Sequence, residues 1–498
     1  MKIRLLRRAL FAAVLSGGLV ASSGLVSAGQ SVAAGSVQHS SGHYSIAWAP
    51  CPGSAVTQCG TLRVPADWSH PHRAKINVAV ARHPADDPAH RIGTLFFNPG
   101  GPGDGGVKYV IAADTFFSGT LRARFDIVSV DPRGVGDSTP IRCGVPALTP
   151  EYTFFPRTQR EFDAMVAHNR ALARSCLQET GPLLLHADTV SVARDHEALR
   201  IALGVSRVNW LGLSYGTQLA AQYAQLYPKR TRAMVLDAVL DHSSSDVLLT
   251  AAAATTVEEA FNRFATWCDT APDCALQGQD VAAVYDALVR RAQKHPIPVE
   301  GALRPVTGDD IRMLTPTYLV AKTPNVLAGQ FSWALFSQVL KLAVDGDASF
   351  FAWPPPNGPN DTIFFARLAN HCGDYASDIH TFADMQRRIE MGRQLAPHLQ
   401  GASEFWQGVL CVGWPFKVAN PVRRLDVRGV PTLIVHANHD PSVSYQWAFE
   451  LATQIRGSSV LTRNGDGHTS YYTSNCARHA TDRFLITRQS AAAPVCAT

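Results

Sequence analysis

Apolar residues fall in short unbroken runs, each closed by turn-forming residues. Residues 94–98 (TLFFN) end in Pro-Gly-Gly-Pro-Gly, and Phe125–Val130 (FDIVSV) ends in Asp131-Pro132-Arg133-Gly134. Val208–Leu213 (VNWLGL) runs straight into Ser-Tyr-Gly-Thr, and residues 233–236 stop at Asp237. Residues 432–437 (TLIVHA) and 460–462 repeat the style near the C-terminus. Runs without polar alternation predict strands covered on both faces, as in a parallel sheet. Residues 76–82 alternate instead, as a half-buried strand does. Helix-like periods at 192–203 and 218–227 lie between the runs. The alternation predicts an α/β architecture with a mostly parallel, doubly wound sheet.

The stretch 242–424 reads differently. It is rich in helix formers (LLTAAAATTVEEAFNRFATW, DVAAVYDALVRRAQ), carries a Pro/Asn loop at 353–361 and lacks the buried-strand runs. It predicts a largely helical cap or lid inserted between two parts of the sheet domain, 45–241 and 425–498. Ahead of these, Lys2, Arg4, Arg7 and Arg8 precede an apolar stretch at 10–20 and then small residues. That is the order of a secretory signal peptide over 1–34, with cleavage after 28 or after 34. The apolar stretch falls short of the roughly 20 residues a membrane span needs. The expectation is a secreted protein with no membrane attachment once the signal is removed.

Composition narrows the classes. With 498 residues, 46% apolar and 17% charged, the chain is ordinary globular protein of domain-plus-insertion size. The formal charge of +5 falls to about +1 without the four signal-peptide cations, which leaves no basic surplus for nucleic acid. The ten cysteines are even in number and contain no C-x-x-C. In an exported chain this favours disulfides. Sequential pairing, 51–59, 143–176, 268–274, 372–411 and 476–496, closes the shortest loops.

The chemistry concentrates in four places. Gly212-Leu213-Ser214-Tyr215-Gly216 is a G-x-S-x-G between a strand-like and a helix-like run, the setting of a nucleophile elbow. Its glycines suit a sharp turn that a bulkier residue would obstruct. A serine hydroxyl needs a base to take its proton. His468, in Asn464-Gly465-Asp466-Gly467-His468 just after the last strand, is the candidate base. Asp440, after the 432–437 run and between serine and histidine in chain order, is the candidate acid that orients the imidazole; Asp466 is the runner-up. A developing oxyanion needs preorganised N–H donors. Tyr215 N and Gly101 N, the latter in the glycine loop 98–103, are the candidates. Asp131 and Arg133 read as structural pins for loops near the site. No H-E-x-x-H or cysteine cluster implies a metal, and the 100–106 loop lacks the G-K-[ST] of a phosphate loop, so no cofactor is expected.

Together these elements resemble a family. Pro99-Gly100-Gly101-Pro102-Gly103 stands where proline iminopeptidases carry HGGPG. With 131–138, G-L-S-Y-G-T, Asp440 and His468, the chain is most similar to the secreted tripeptidyl aminopeptidases of actinobacteria, an α/β-hydrolase fold. Cys372-Gly373-Asp374 and Cys411-Val412-Gly413-Trp414-Pro415 also look like that group's C-x-D and C-x-x-W-P elements. The resemblance spans roughly 45 to 498. It implies release of short peptides from free N-termini, with peptides as the partners. A substrate ammonium then needs a carboxylate to replace its hydration, and Asp374 and Glu404 in the cap are the candidates. Two departures bear on substrate: Pro99 replaces the usual histidine, and Asp104 follows the glycine loop. A carboxylesterase or lipase-type hydrolase on the same triad is the alternative. A catalytically dead binding protein would require a broken triad, whereas every expected element is present.

Overall fold

The apolar runs become strands because each offers side chains to both faces. In the computed structural model, which describes residues 44–355, 361–403, 405–490 and 493–496, Leu95 and Phe97 pack on one side of the sheet and Phe96 on the other. Leu211 and Leu213 oppose Trp210 in the same way, and Leu433 and Val435 oppose Ile434. All of these residues are essentially inaccessible to water. The signal-peptide segment and Glu404 lie outside the described residues.

Among the described residues, ten strands form one sheet: β1 (Ala49–Pro50), β2 (Gln58–Pro65), β3 (Lys75–His83), β4 (Gly93–Asn98), β5 (Phe125–Val130), β6 (Val208–Leu213), β7 (Thr231–Asp237), β8 (Thr432–His439), β9 (Ser459–Asp466) and β10 (Val495–Cys496). Their spatial order is β1-β2-β3-β5-β4-β6-β7-β8-β9-β10. The β1–β2, β2–β3 and β3–β5 pairs are antiparallel, and every pair from β5–β4 to β9–β10 is parallel. The mostly parallel α/β sheet expected from the pattern is therefore present, with β2, which has no clear apolar run, added at its antiparallel edge.

Register aligns the chemistry. Asn98 pairs with Gly212, Leu213 with Asp237, Asp237 with Val435, and His439 with Asp466. The loops carrying Gly100–Gly103, Ser214, Asp440 and His468 thus leave β4, β6, β8 and β9 at one carboxyl edge, where ligands bind in open α/β sheets.

Between β7 and β8 the chain is helical. Helices Asp246–Thr270, Val281–Lys294, Gly308–Leu319, Trp333–Val344, Thr362–Asp374 and Phe382–Leu395 are joined by a 3-10 turn at Phe405–Cys411. Phe261, Phe264, Tyr285, Trp333 and Phe336 give this part an apolar core of its own. Met313, Phe365, Leu368 and Trp406 join instead the core on one face of the sheet. Side chains of Thr307 and Thr381 cap two of the helices, each answered by an aspartate three residues on. The five disulfides are Cys51–Cys59, Cys143–Cys176, Cys268–Cys274, Cys372–Cys411 and Cys476–Cys496, the sequential pairing. Among the described residues no helix is long and apolar enough to cross a membrane.

The two pins act as expected. Asp131 accepts the N–H groups of Val107 and Asp137 at 3.0 Å each. Arg133, fully buried, grips Asp195 with two nitrogens (2.6 and 2.7 Å) and donates to the carbonyls of Pro65, Ala66 and His186. A buried guanidinium is tolerated only when its donors are satisfied in this way.

Candidate active site

Ser214 sits at the junction of β6 and helix Tyr215–Leu226 with φ 53° and ψ −124°, a conformation non-glycine residues avoid. Three glycines make the turn possible. A Cβ on Gly212 would lie 2.3 Å from the Gly216 oxygen, and one on Gly216 would lie 2.5 Å from the Asn98 oxygen. A Cβ on Gly100 would meet the Ser214 Cβ at 2.8 Å. The glycine loop is thus pressed against the serine by the absence of side chains. Ser214 N donates to the Asp237 carbonyl at 2.9 Å, tying the elbow to β7.

His468 and Asp440 are in contact. The imidazole Nδ1 is 2.9 Å from both carboxylate oxygens of Asp440. Asp440 also accepts N–H bonds from Ser442 and Val443. Burial pushes its carboxyl up, but the His468 imidazole and these donors outweigh that and hold it below the usual carboxylate range. An ionised Asp440 can only accept, so Nδ1 carries the hydrogen and the lone pair falls on Nε2, the tautomer a general base needs.

The histidine loop is gripped from within the core by two residues that sequence reading did not single out. Asp237 accepts N–H bonds from Ser470 (2.8 and 2.9 Å) and Tyr471 (2.7 Å). Burial raises its carboxyl to about 6 despite these donors and the nearby Arg463 and His468. Arg463, equally buried, donates to the carbonyls of Asp466 (2.9 Å) and Gly467 (2.5 Å). The signal available in sequence was a charged residue at the end of one buried run and another inside β9, which a core tolerates only with partners.

Gly101, Ser214 and Tyr215 line one cleft. Its walls include Leu240, Phe364, Leu368, Phe405, Leu410 and Val443, with Arg367, His371 and Gln407 as polar groups. Burial, with Arg367 adding to it, pushes His371 down to about 4, so it is neutral.

One candidate requires correction. Asp374 does not face the cleft. Its carboxylate is fully buried and accepts from Thr189 N (3.0 Å), the Thr189 hydroxyl, Gln218 Nε2 (2.9 Å) and Asn420 Nδ2 (2.9 Å). With its oxygens so engaged, it fastens the cap helix to the core and is not an amine receptor. No local pattern separates a satisfied buried acid from one aimed at substrate. Asp104 is likewise committed, to the Tyr109 hydroxyl and Lys108 at 2.7 Å each. Asp466, the runner-up acid, pairs with Arg263 and Lys322 rather than with His468. His436 is buried, takes the N–H of Val239 on Nδ1, and is held down to about 4 by burial.

A parallel sheet with a serine at a strained elbow, a histidine–aspartate pair on loops at the same carboxyl edge and a helical insertion between β7 and β8 defines a serine hydrolase architecture. Residues 93–474 match the family model described as alpha/beta hydrolase fold. The chain belongs to the α/β-hydrolase family and, within it, to the group that holds tripeptidyl aminopeptidases and the serine protease Hip1. It is 31% identical to "Serine protease Hip1" of Mycobacterium tuberculosis over 85% of each chain. It is 29% identical to "Tripeptidyl aminopeptidase" of Streptomyces lividans, over 88% of this chain and 83% of the relative. A protein named "Carboxylesterase B", also from Mycobacterium tuberculosis, is 30% identical over 86% of this chain and 84% of its own length.

Proposed function

We propose that the protein is a secreted serine exopeptidase that releases short peptides, tripeptides foremost, from free N-termini. The observation that carries the chemistry is the His468–Asp440 contact at 2.9 Å on the loops flanking the Ser214 elbow. Ser214 Oγ attacks the scissile carbonyl, His468 Nε2 takes its proton, and Asp440 stabilises the imidazolium. The N–H groups of Gly101 and Tyr215 receive the oxyanion. Collapse of the tetrahedral intermediate returns the proton to the leaving amine and leaves an acyl-enzyme, which water then hydrolyses. The peptidase reading draws on the relatives named as a serine protease and a tripeptidyl aminopeptidase. Glu404 is the carboxylate proposed for the substrate ammonium, since it directly precedes Phe405 of the cleft wall. Secretion fits the five disulfides, which persist outside reducing compartments.

A carboxylesterase is the second reading, favoured by the apolar walls of the cleft and the esterase-named relative. A substrate panel separates the two: a tripeptide anilide, its N-acetylated twin, a single-residue anilide and a short-chain ester, each with a Ser214→Ala control. Cleavage of the free tripeptide alone, lost on acetylation and in the variant, is the expected result. Fast ester cleavage with every anilide untouched would overturn the peptidase reading.

A further inference from the structure

Asp466 is the last residue of β9 and lies two positions before His468. Its side chain is 7% exposed and is held by two cations of the helical insertion. Arg263 Nε, on helix Asp246–Thr270, reaches one oxygen, and Lys322 Nζ, just beyond helix Gly308–Leu319, reaches the other at 3.3 Å. The insertion also bonds the histidine directly: His468 N donates to the Val320 carbonyl at 2.7 Å. Gly467 takes φ 102° there, a backbone conformation that side-chain-bearing residues rarely adopt. A fourth cross-link joins His439 Nδ1 to Glu259 at 2.6 Å. Arg463 holds the carbonyls of Asp466 and Gly467 from the opposite, core side. The backbone around the imidazole is therefore set by the core on one flank and by the cap on the other.

We propose that Asp466 is a positioning residue that couples the seating of the cap to the orientation of His468. The proposal rests on Ser214 and His468 forming the nucleophile–base pair. With the cap seated, Arg263, Lys322 and the Val320 carbonyl fix the 466–468 backbone, and the imidazole stays in line with both Asp440 and the serine. With the cap lifted to admit substrate or release product, all three contacts are lost together and only the core flank remains. Proton transfer depends steeply on geometry, so hydrolysis is efficient only under a closed cap. The base is thereby restrained while the site is open to water.

The test reads the second-order rate at which a small fluorophosphonate labels Ser214. That reaction needs the base but little of the substrate cleft, so its outcome does not depend on peptidase or esterase specificity. Asp466→Asn is expected to slow labelling, and kcat on whichever substrate is cleaved, by about tenfold, with KM changed by less than about twofold. The Arg263→Gln/Lys322→Gln double variant is expected to show the same loss, and adding Asp466→Asn to it no further loss, because the three groups act as one unit. Arg263→Lys, which keeps the charge, is expected to label within about twofold of wild type. Wild-type labelling in Asp466→Asn, unchanged labelling in the double variant, or losses that multiply in the triple variant would overturn the proposal. So would a loss that disappears once rates are normalised to the folded fraction from thermal melts. Labelling that persists in Ser214→Ala would instead remove the nucleophile assignment on which the proposal stands.

Discussion

The residues that set the candidate site are held by bonds to backbone more than by contact with one another. Asp237 is the sharpest example, a buried carboxylate spent on three N–H bonds from Ser470 and Tyr471. The residue between His468 and Ser470 is Thr469, whose φ of 62° is unfavourable for a β-branched side chain. Asp237 holds the loop in that conformation. Asp237→Asn turns an amide donor toward one of these N–H groups, and leaving a buried donor unsatisfied costs about 1–3 kcal/mol. The expected outcome is a lower midpoint in thermal melts together with a fall in kcat at nearly constant KM. A variant with wild-type kcat would show that Asp237 has no part in placing the histidine loop.

At the level of elements, the legible features were those with a local signature. The strand before Ser214, the glycines around it and the strand preceding Asp440 each announce themselves through composition, because burial on both faces and tight turns restrict which residues fit. Their alignment at one sheet edge follows from parallel register, which the alternation of runs and helices already implies. Spacing alone does not fix disulfide connectivity, but the sequential pairing that closes the shortest loops is the one present. The cap was legible as helical, but its inward-facing chemistry was not. Asp374 and Asp466 each looked available for the site, and each proved to be a fastener: Asp374 to Thr189, Gln218 and Asn420, Asp466 to Arg263 and Lys322. Those partners lie from 46 to 203 residues away in the chain. No local pattern encodes them, and only the fold brings them together. Arg463 escaped notice for the same reason, since its acceptors are backbone carbonyls that any residue supplies.

For the molecule as a whole, buried titratable groups set the response to acid. Burial holds His196, His371 and His436 down to about 4 from an ordinary 6.5. Between those values the unfolded chain binds protons that the folded chain refuses, so these histidines lower stability as pH falls from about 6.5 to about 4. The carboxyls of Asp237 and Asp246, raised by burial to about 6, act in the opposite sense over a similar range, because there the folded chain binds the extra proton. A single substitution separates the two. His196 lies in the core beside Phe96 and Trp210, outside the cleft lining. His196→Gln is expected to lose less stability than wild type on acidification from pH 7 to pH 4, measured by denaturant unfolding at each pH. Parallel curves for the two proteins would contradict a neutral buried imidazole at that position.

The proposed mechanism requires Ser214 to be a nucleophile activated by His468, whose imidazole Asp440 orients. Peptide mapping by mass spectrometry after brief exposure to a fluorophosphonate tests it most directly. A single adduct on Ser214 is expected, absent in Ser214→Ala and formed far more slowly in His468→Ala. An adduct on another residue, or equal labelling with and without the histidine, would contradict it.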